Sequence, residues 1–127
     1  MFVQNCAKGI RATNKTPFVW FSSDGNLSIR GRSIPEEGSK FYSYLFEWIQ
    51  KYMIHPSPST VLSIELEYLN DITAKYLLQI IKELNRTCPY FTVEWIYEKG
   101  DIDIMEMGEI LESSSEAHFV FYQIIDN

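Results

Sequence analysis

The sequence predicts an α/β fold: a mixed, largely parallel sheet of about five strands in the order ββαβαβαβ, with three helices mainly on one face. Three observations lead there. An Asp24-Gly25 pair lies between two short runs rich in apolar residues, the mark of a β-hairpin. Beyond it, stretches of helical periodicity alternate three times with stretches of period-two alternation. The chain has 127 residues, 46% of them hydrophobic and 22% charged. That is enough to bury one core without disulfide or metal staples and too little for two ordinary domains, so residues 1–127 are read as one.

Each element has a local reason. Residues 1–16 are polar and weakly patterned, and are read either as loose or as a short leading strand. Phe18-Val19-Trp20-Phe21 and Leu27-Ser28-Ile29-Arg30 form the hairpin arms. Ser33-Ile34-Pro35-Glu36 reads as a helix start, because Ser33 can cap, Pro35 lacks only an N–H the first turn does not need, and Glu36 follows three residues on. Phe41, Leu45, Trp48, Ile49 and Tyr52 then share one helical face, and Pro56 and Pro58 end the run. From Thr60 to Leu69 the chain alternates, with Leu62, Ile64, Leu66 and Tyr68 expected on one side. Asn70-Asp71 breaks that strand and offers a cap for a second helix with Leu77, Ile80, Ile81 and Leu84 inward. Residues 90–97 form another strand, with Phe91, Val93, Trp95 and Tyr97 on one face. A third helix runs from the Asp101 region to about Leu111 or Glu112, and Phe119 to Ile125 is the last strand. Helical crossovers between strands imply parallel pairing. Helices on one face leave the other partly open, which accounts for some of the 15% aromatic residues.

Charge narrows the function classes. Residues 1–89 carry a formal +2 and residues 90–127 a formal −8, within a total of −6. Phosphates are repelled by such an acidic last third, so nucleic acid is not the expected partner, whereas a protein with a basic surface suits it. A plain solvated acidic face is the competing explanation. No apolar run is long enough to span a membrane and the first residues do not resemble a secretion signal. Cys6 and Cys88 form neither a metal spacing nor a disulfide framework, which fits a reducing, cytoplasmic setting.

Nothing in the sequence calls for a catalytic site or a cofactor. His55 and His118 have no partner at a familiar spacing, and no nucleotide loop, nucleophile elbow or zinc-protease motif is present. Asp101, Asp103, Glu106 and Glu109 could gather a hard cation, but they lack the spacing of a calcium loop, and acidic residues at a helix start are more commonly explained by the helix dipole. The sharpest candidate is the junction Tyr68-Leu69-Asn70-Asp71-Ile72-Thr73-Ala74-Lys75. An apolar strand there hands over to a helix N-terminus, whose free N–H groups favour a negative group. Taken alone, Asp71 is an ordinary cap and Thr73 an ordinary first-turn residue.

The same junction carries a resemblance. Leu66-Glu67-Tyr68-Leu69-Asn70, with Lys75 beyond it, is similar to the signature of the SiaC family of bacterial regulatory phosphoproteins. Three further blocks agree in order and spacing: Ile29-Arg30-Gly31-Arg32-Ser33-Ile34-Pro35-Glu36, Phe41-Tyr42 with Trp48, and Trp95-Ile96-Tyr97-Glu98 leading into Asp101, Asp103, Met105, Glu106 and Gly108. Together they span about residues 17–125. The resemblance implies a fold like that of the anti-sigma-factor antagonist (STAS-like) domains and a non-enzymatic bacterial signalling switch. Such proteins are phosphorylated by a cognate Ser/Thr kinase and dephosphorylated by a PP2C-type phosphatase. In the better-understood branch of the family, the unphosphorylated form binds and activates a diguanylate cyclase, raising cyclic di-GMP and promoting aggregation or biofilm.

One departure matters. After the asparagine the family pattern is Thr-Ser-Ser, with the threonine as phosphoacceptor; here Asp71, Ile72 and Thr73 stand instead. Either Asp71 is a built-in partial mimic of the phosphorylated state, or phosphorylation has moved to Thr73. The first is favoured, because a side chain two residues along points about 200° around the helix. The expected partner surface comprises Asn70, Asp71, Thr73 and Lys75, with Arg32, Ser33, Pro35 and Glu36 nearby and Glu98, Asp101 and Asp103 as an acidic flank. Two alternatives stand beside it: a small-molecule or metal-binding domain using the aromatic face or residues 101–109, and a purely structural role in a larger complex.

Overall fold

A computed structural model describes residues 7–37 and 39–125. Cys6 and the rest of residues 1–6 lie outside the described residues, as do Gly38, Asp126 and Asn127. The elements run β1 (Ala7–Ile10), β2 (Phe18–Ser22), β3 (Asn26–Ser33), α1 (Phe41–Tyr52), β4 (Ser59–Leu69), α2 (Asp71–Thr87), β5 (Tyr90–Glu98), α3 (Ile102–Ser115) and β6 (His118–Ile124). This is the expected order with one strand added in front. Residues 7–10 take the strand option, pairing antiparallel with β2 through Ala7↔Ser22 to Ile10↔Val19.

The six strands lie in sequence order across one sheet. β2 and β3 are the antiparallel hairpin, and β3 through β6 are parallel. Each parallel step places its new strand on the same side of the last one. Three right-handed crossovers of that kind put α1, α2 and α3 on one face. That face holds the core: Val19, Phe21, Leu27 and Ile29 from the hairpin, Leu62, Ile64 and Leu66 from β4, and Val93 and Trp95 from β5, closed over by helix residues. In α2 these are Leu77, Ile80, Ile81 and Leu84, the stripe the spacing predicts. Among the described residues the opposite face carries no helix, and Phe18, Trp20 and Tyr122 are exposed on it.

Four expectations need correction. Ser33 does not start a helix. It ends β3, pairs with Leu69, and is fully buried, while α1 begins only at Phe41 behind Lys40, whose side chain makes no cap bond. Pro35 is accordingly not in a first helical turn. The buried stripe of α1 is Tyr42, Leu45, Ile49 and Tyr52, with Phe41 and Trp48 on its flanks. Tyr42 turns inward because its hydroxyl finds a partner there. Tyr68 does not continue the inward row of β4, because the β3–β4 register slips between Gly31 and Arg32: Gly31 pairs with Leu66 but Arg32 with Tyr68. Gly31 takes φ +121° at this bulge, a conformation L-residues avoid. Finally, α3 continues to Ser115, where Glu116 turns left-handed at φ 62° and stops it.

Candidate functional site

In a parallel α/β sheet each helix starts near the carboxyl end of the strand before it, so polar helix starts collect along one edge. Here α2 follows β4 at once. Asn70 is the N-cap, in extended conformation, and its side-chain oxygen accepts the Thr73 N–H at 3.0 Å. Asp71 is therefore the first helical residue rather than the cap. Its side chain is exposed, as is that of Lys75 one turn later, and neither makes a hydrogen bond or ion pair with another described residue. A carboxylate in the first turn of a 17-residue helix sits favourably in the helix dipole, by about 0.3–1 kcal/mol at an exposed position.

Asn70 also ties this junction to the segment after β3. Its backbone N–H donates to the Ser33 carbonyl at 3.1 Å, and its side-chain amide donates to the Pro35 carbonyl at 3.0 Å. The expected neighbourhood of Ser33 and Pro35 with Asn70 is thus a set of direct bonds. Arg32 stands beside them, its guanidinium 4.9 Å from the centre of the exposed Tyr68 ring. Glu36 lies one step out and pairs with Lys15, which lowers its carboxyl pKa through the hydrogen bond and then the charge.

Thr73 is placed quite differently from Asp71. It has no exposed surface, and its hydroxyl belongs to a buried chain. Tyr42 OH lies 2.6 Å from Ser33 Oγ, which lies 2.7 Å from Thr73 Oγ1; that oxygen reaches the Ser33 carbonyl at 2.8 Å and Asn70 Oδ1 at 3.0 Å. Three hydroxyl protons satisfy the chain if Tyr42 donates to Ser33, Ser33 to Thr73, and Thr73 to one of its two acceptors. Burial pushes the Tyr42 pKa up to about 12, against an opposing pull from Ser33 and Thr73. A phosphoryl group on Thr73 would have to displace this network.

The acidic flank lies along the same edge. Glu98 ends β5, Asp101 caps α3 by accepting the Ile104 N–H at 3.2 Å, and Asp103 follows in the first turn. All three line a groove of about 940 Å³, together with Tyr68 and Leu69. Glu65, Glu67 and Arg30 also line it and were not part of the partner surface expected from sequence. Alternation along β4 does put Glu65 and Glu67 on the outer face, but only the β4–β5 register reveals that Glu98 joins them.

The alternative sites are less well built. No group of three or more His, Cys, Asp or Glu among the described residues is placed to hold a metal ion, so the carboxylates of 101–109 do not converge. The exposed aromatics do not form one box either. Trp20 on β2 and Tyr122 on β6 are four strand spacings apart, roughly 19 Å. His55 and His118 are both exposed, and Cys88 is buried. Among the described residues no helix is long and apolar enough to cross a membrane.

Comparison with known proteins gives a consistent picture. A chain in the crystal structure of the diguanylate cyclase SiaD in complex with its activator SiaC, from Pseudomonas aeruginosa, superposes with a TM-score of 0.84 at 21% identity, covering 92% of this chain and 99% of that one. SiaC of Pseudomonas aeruginosa superposes at 0.79 with 21% identity over 95% of this chain and 99% of its own. An uncharacterised protein of Pseudomonas aeruginosa (strain UCBPP-PA14) is 24% identical over 106 residues, 79% of this chain and 82% of that protein. The structural likenesses establish the shared fold. The profile of the SiaC family regulatory phosphoproteins matches residues 10–124, nearly the whole chain, and the chain belongs to that family.

Proposed function

We propose that this chain is a non-enzymatic docking protein of a bacterial signalling circuit, in which Asp71 is a permanent partial substitute for a phosphorylated side chain. The observation that carries this reading is the placement of Asp71: exposed, first in α2, directly after the Asn70 cap and one turn before the exposed Lys75. The family resemblance puts the phosphoacceptor threonine at this position. A partner that reads the position meets a fixed single negative charge, where a phosphothreonine would present nearly two and more acceptor oxygens. The Ser/Thr kinase and PP2C-type phosphatase of the family then have no substrate at residue 71.

Burial of Thr73 supports the same choice, since a kinase needs an exposed hydroxyl. The partner proposed is a diguanylate cyclase, like the one that SiaC activates in the Pseudomonas complex; with one charge where phosphothreonine has nearly two, Asp71 is proposed to weaken that docking without abolishing it. Asn70, Asp71 and Lys75 form the centre of the surface, Arg32 and Glu36 one side of it with Pro35 buried beneath, and Glu98, Asp101 and Asp103 the other. Ser33 and Thr73 support it from inside.

Phosphate-affinity electrophoresis after co-expression with a family kinase tests the reading. Wild type is expected to run unshifted and Asp71→Thr to gain a shifted band. A wild-type shift that disappears in Thr73→Ala would overturn it. Pull-down of the cyclase with wild type and Asp71→Ala separates it from a purely structural role, which predicts no dependence on residue 71.

A further inference from the structure

We propose that the groove at the carboxyl ends of β3, β4 and β5 seats a basic, apolar-anchored segment of the partner protein. This deepens the docking reading above and rests on it. The groove, about 940 Å³, runs from the helix-free face of the sheet to the start of α3. Its walls bring the carboxylates of Glu65, Glu67, Glu98, Asp101 and Asp103 against one guanidinium, that of Arg30. None of the five is in an ion pair with a described residue, and of the five only the Asp101 side chain accepts a hydrogen bond from a described residue, as the cap of α3. Phe18, Tyr68, Ile96 and Ile124 add apolar surface to the same lining.

This combination selects the occupant. Apolar side chains set among unpaired like charges fit a segment whose Lys or Arg residues flank an aliphatic or aromatic anchor. Tyr68 already displays the chemistry, holding the Arg32 guanidinium against its ring while it remains 59% exposed. A phosphate backbone would be repelled. A second copy of this chain, at net charge −6, is poorly matched. A cation alone finds no converging ligand set among the described residues.

The test is fluorescence polarisation with the full chain and a labelled decapeptide of leucines and lysines, beside the same peptide with glutamates for lysines. Two variants make the same change in net charge. Glu67→Lys/Glu98→Lys lies in the groove, and Glu106→Lys/Glu109→Lys lies on exposed positions of α3 outside its lining. Wild type is expected to bind the lysine peptide only, the groove pair to weaken it about tenfold or more, and the α3 pair less than about threefold. Tyr68→Ala is expected to weaken it several-fold at unchanged charge, and Tyr68, Ile96 and Glu98 amide resonances to shift on titration.

Equal loss from both pairs, or no binding of the lysine peptide, overturns the proposal. So does self-association in sedimentation that the groove pair abolishes, which would assign the groove to a second copy. The outcome is separable from that at Asp71. Groove-dependent binding together with a Thr73-dependent kinase shift would sink the mimic reading and leave this one, and the converse result would do the reverse.

Discussion

Truncating Asn70 to alanine should destabilise the chain by more than an ordinary cap mutation, because this side chain has two arms with different partners. Its oxygen accepts the Thr73 N–H at 3.0 Å, and its amide donates to the carbonyl of the buried Pro35 at 3.0 Å. Loss of an N-cap costs about 1 kcal/mol. Leaving a buried carbonyl unpartnered costs about 1–3 kcal/mol more. The expected loss is therefore about 2–4 kcal/mol, a fall of about 1–2 M in the urea midpoint for a chain of this size. Asn70→Ser separates the arms. Serine keeps a capping oxygen but is too short to reach Pro35, so it should fall about midway, near 1–2 kcal/mol. Hydrogen exchange at the Thr73 amide should quicken in Asn70→Ala and stay slow in Asn70→Ser. Urea melts by circular dichroism read the first comparison, and exchange mass spectrometry the second. The reasoning fails if Asn70→Ser is as stable as wild type, or if Asn70→Ala lies within about 0.5 kcal/mol of it.

The rest of the structure gives three further expectations. Gly108→Ala should cost about 2–3 kcal/mol and move the tryptophan fluorescence, because the added methyl would sit 2.5 Å from the Trp95 ring, which is pinned by its own bond to the Ile104 carbonyl at 2.9 Å. Thr73→Val should cost about 1–3 kcal/mol despite its matched volume, since it strips a partner from Ser33; no loss in a urea melt would refute the buried chain. Alkali should unfold the protein partly through Tyr42. The native phenol keeps its proton to about pH 12, whereas the unfolded one loses it near pH 10. This contribution is whole below pH 10 and is lost as pH rises through about 12, by roughly 3 kcal/mol in all. Melts from pH 9 to 12 should show that slope in wild type and a shallower one in Tyr42→Phe.

Much of the architecture was legible because its causes are local. The Asp24-Gly25 hairpin, the inward stripe of α2 and the alternation of β5 each depend on residues within one element. The break at Asn70 was legible for the same reason. Ser33 was not, since Ser-x-Pro-Glu satisfies a helix-start pattern by itself. What keeps Ser33 in a strand is Leu69 beside it and Thr73 bonded to it, 40 residues away in sequence. The stripe of α1 likewise shifts to Tyr42 because a hydroxyl buried elsewhere completes its hydrogen bond, and amphipathic spacing carries no trace of that. Of the site, Asp71 could be placed from sequence, whereas Glu65 and Glu67 could not be joined to Glu98 without knowing which strands are neighbours.

The bulge at Gly31 explains why one strand end serves two purposes. Through Leu66 the two strands run in phase, and Leu62, Ile64 and Leu66 face the helices together with Leu27 and Ile29. Had that phase continued, Tyr68 would have entered the core and Leu69 the open face. The extra residue on β4, Glu67, reverses the parity. Tyr68 emerges opposite Arg32, where the two side chains stack, while Leu69 turns back opposite the buried Ser33. The same slip leaves Asn70 in reach of both the Ser33 and Pro35 carbonyls, so α2 begins with its cap anchored and Asp71 facing outward. The exposed Arg32, Tyr68 and Asp71 and the buried hydroxyls of Ser33 and Thr73 are thereby sorted to opposite sides of a single junction. Gly31→Val should disturb both at once, because a β-branched residue resists φ +121°. Regularising the register would expose Thr73 and bury Tyr68. A Gly31→Val protein that kept the Tyr68–Arg32 contact and wild-type stability would show that the slip is incidental to the site.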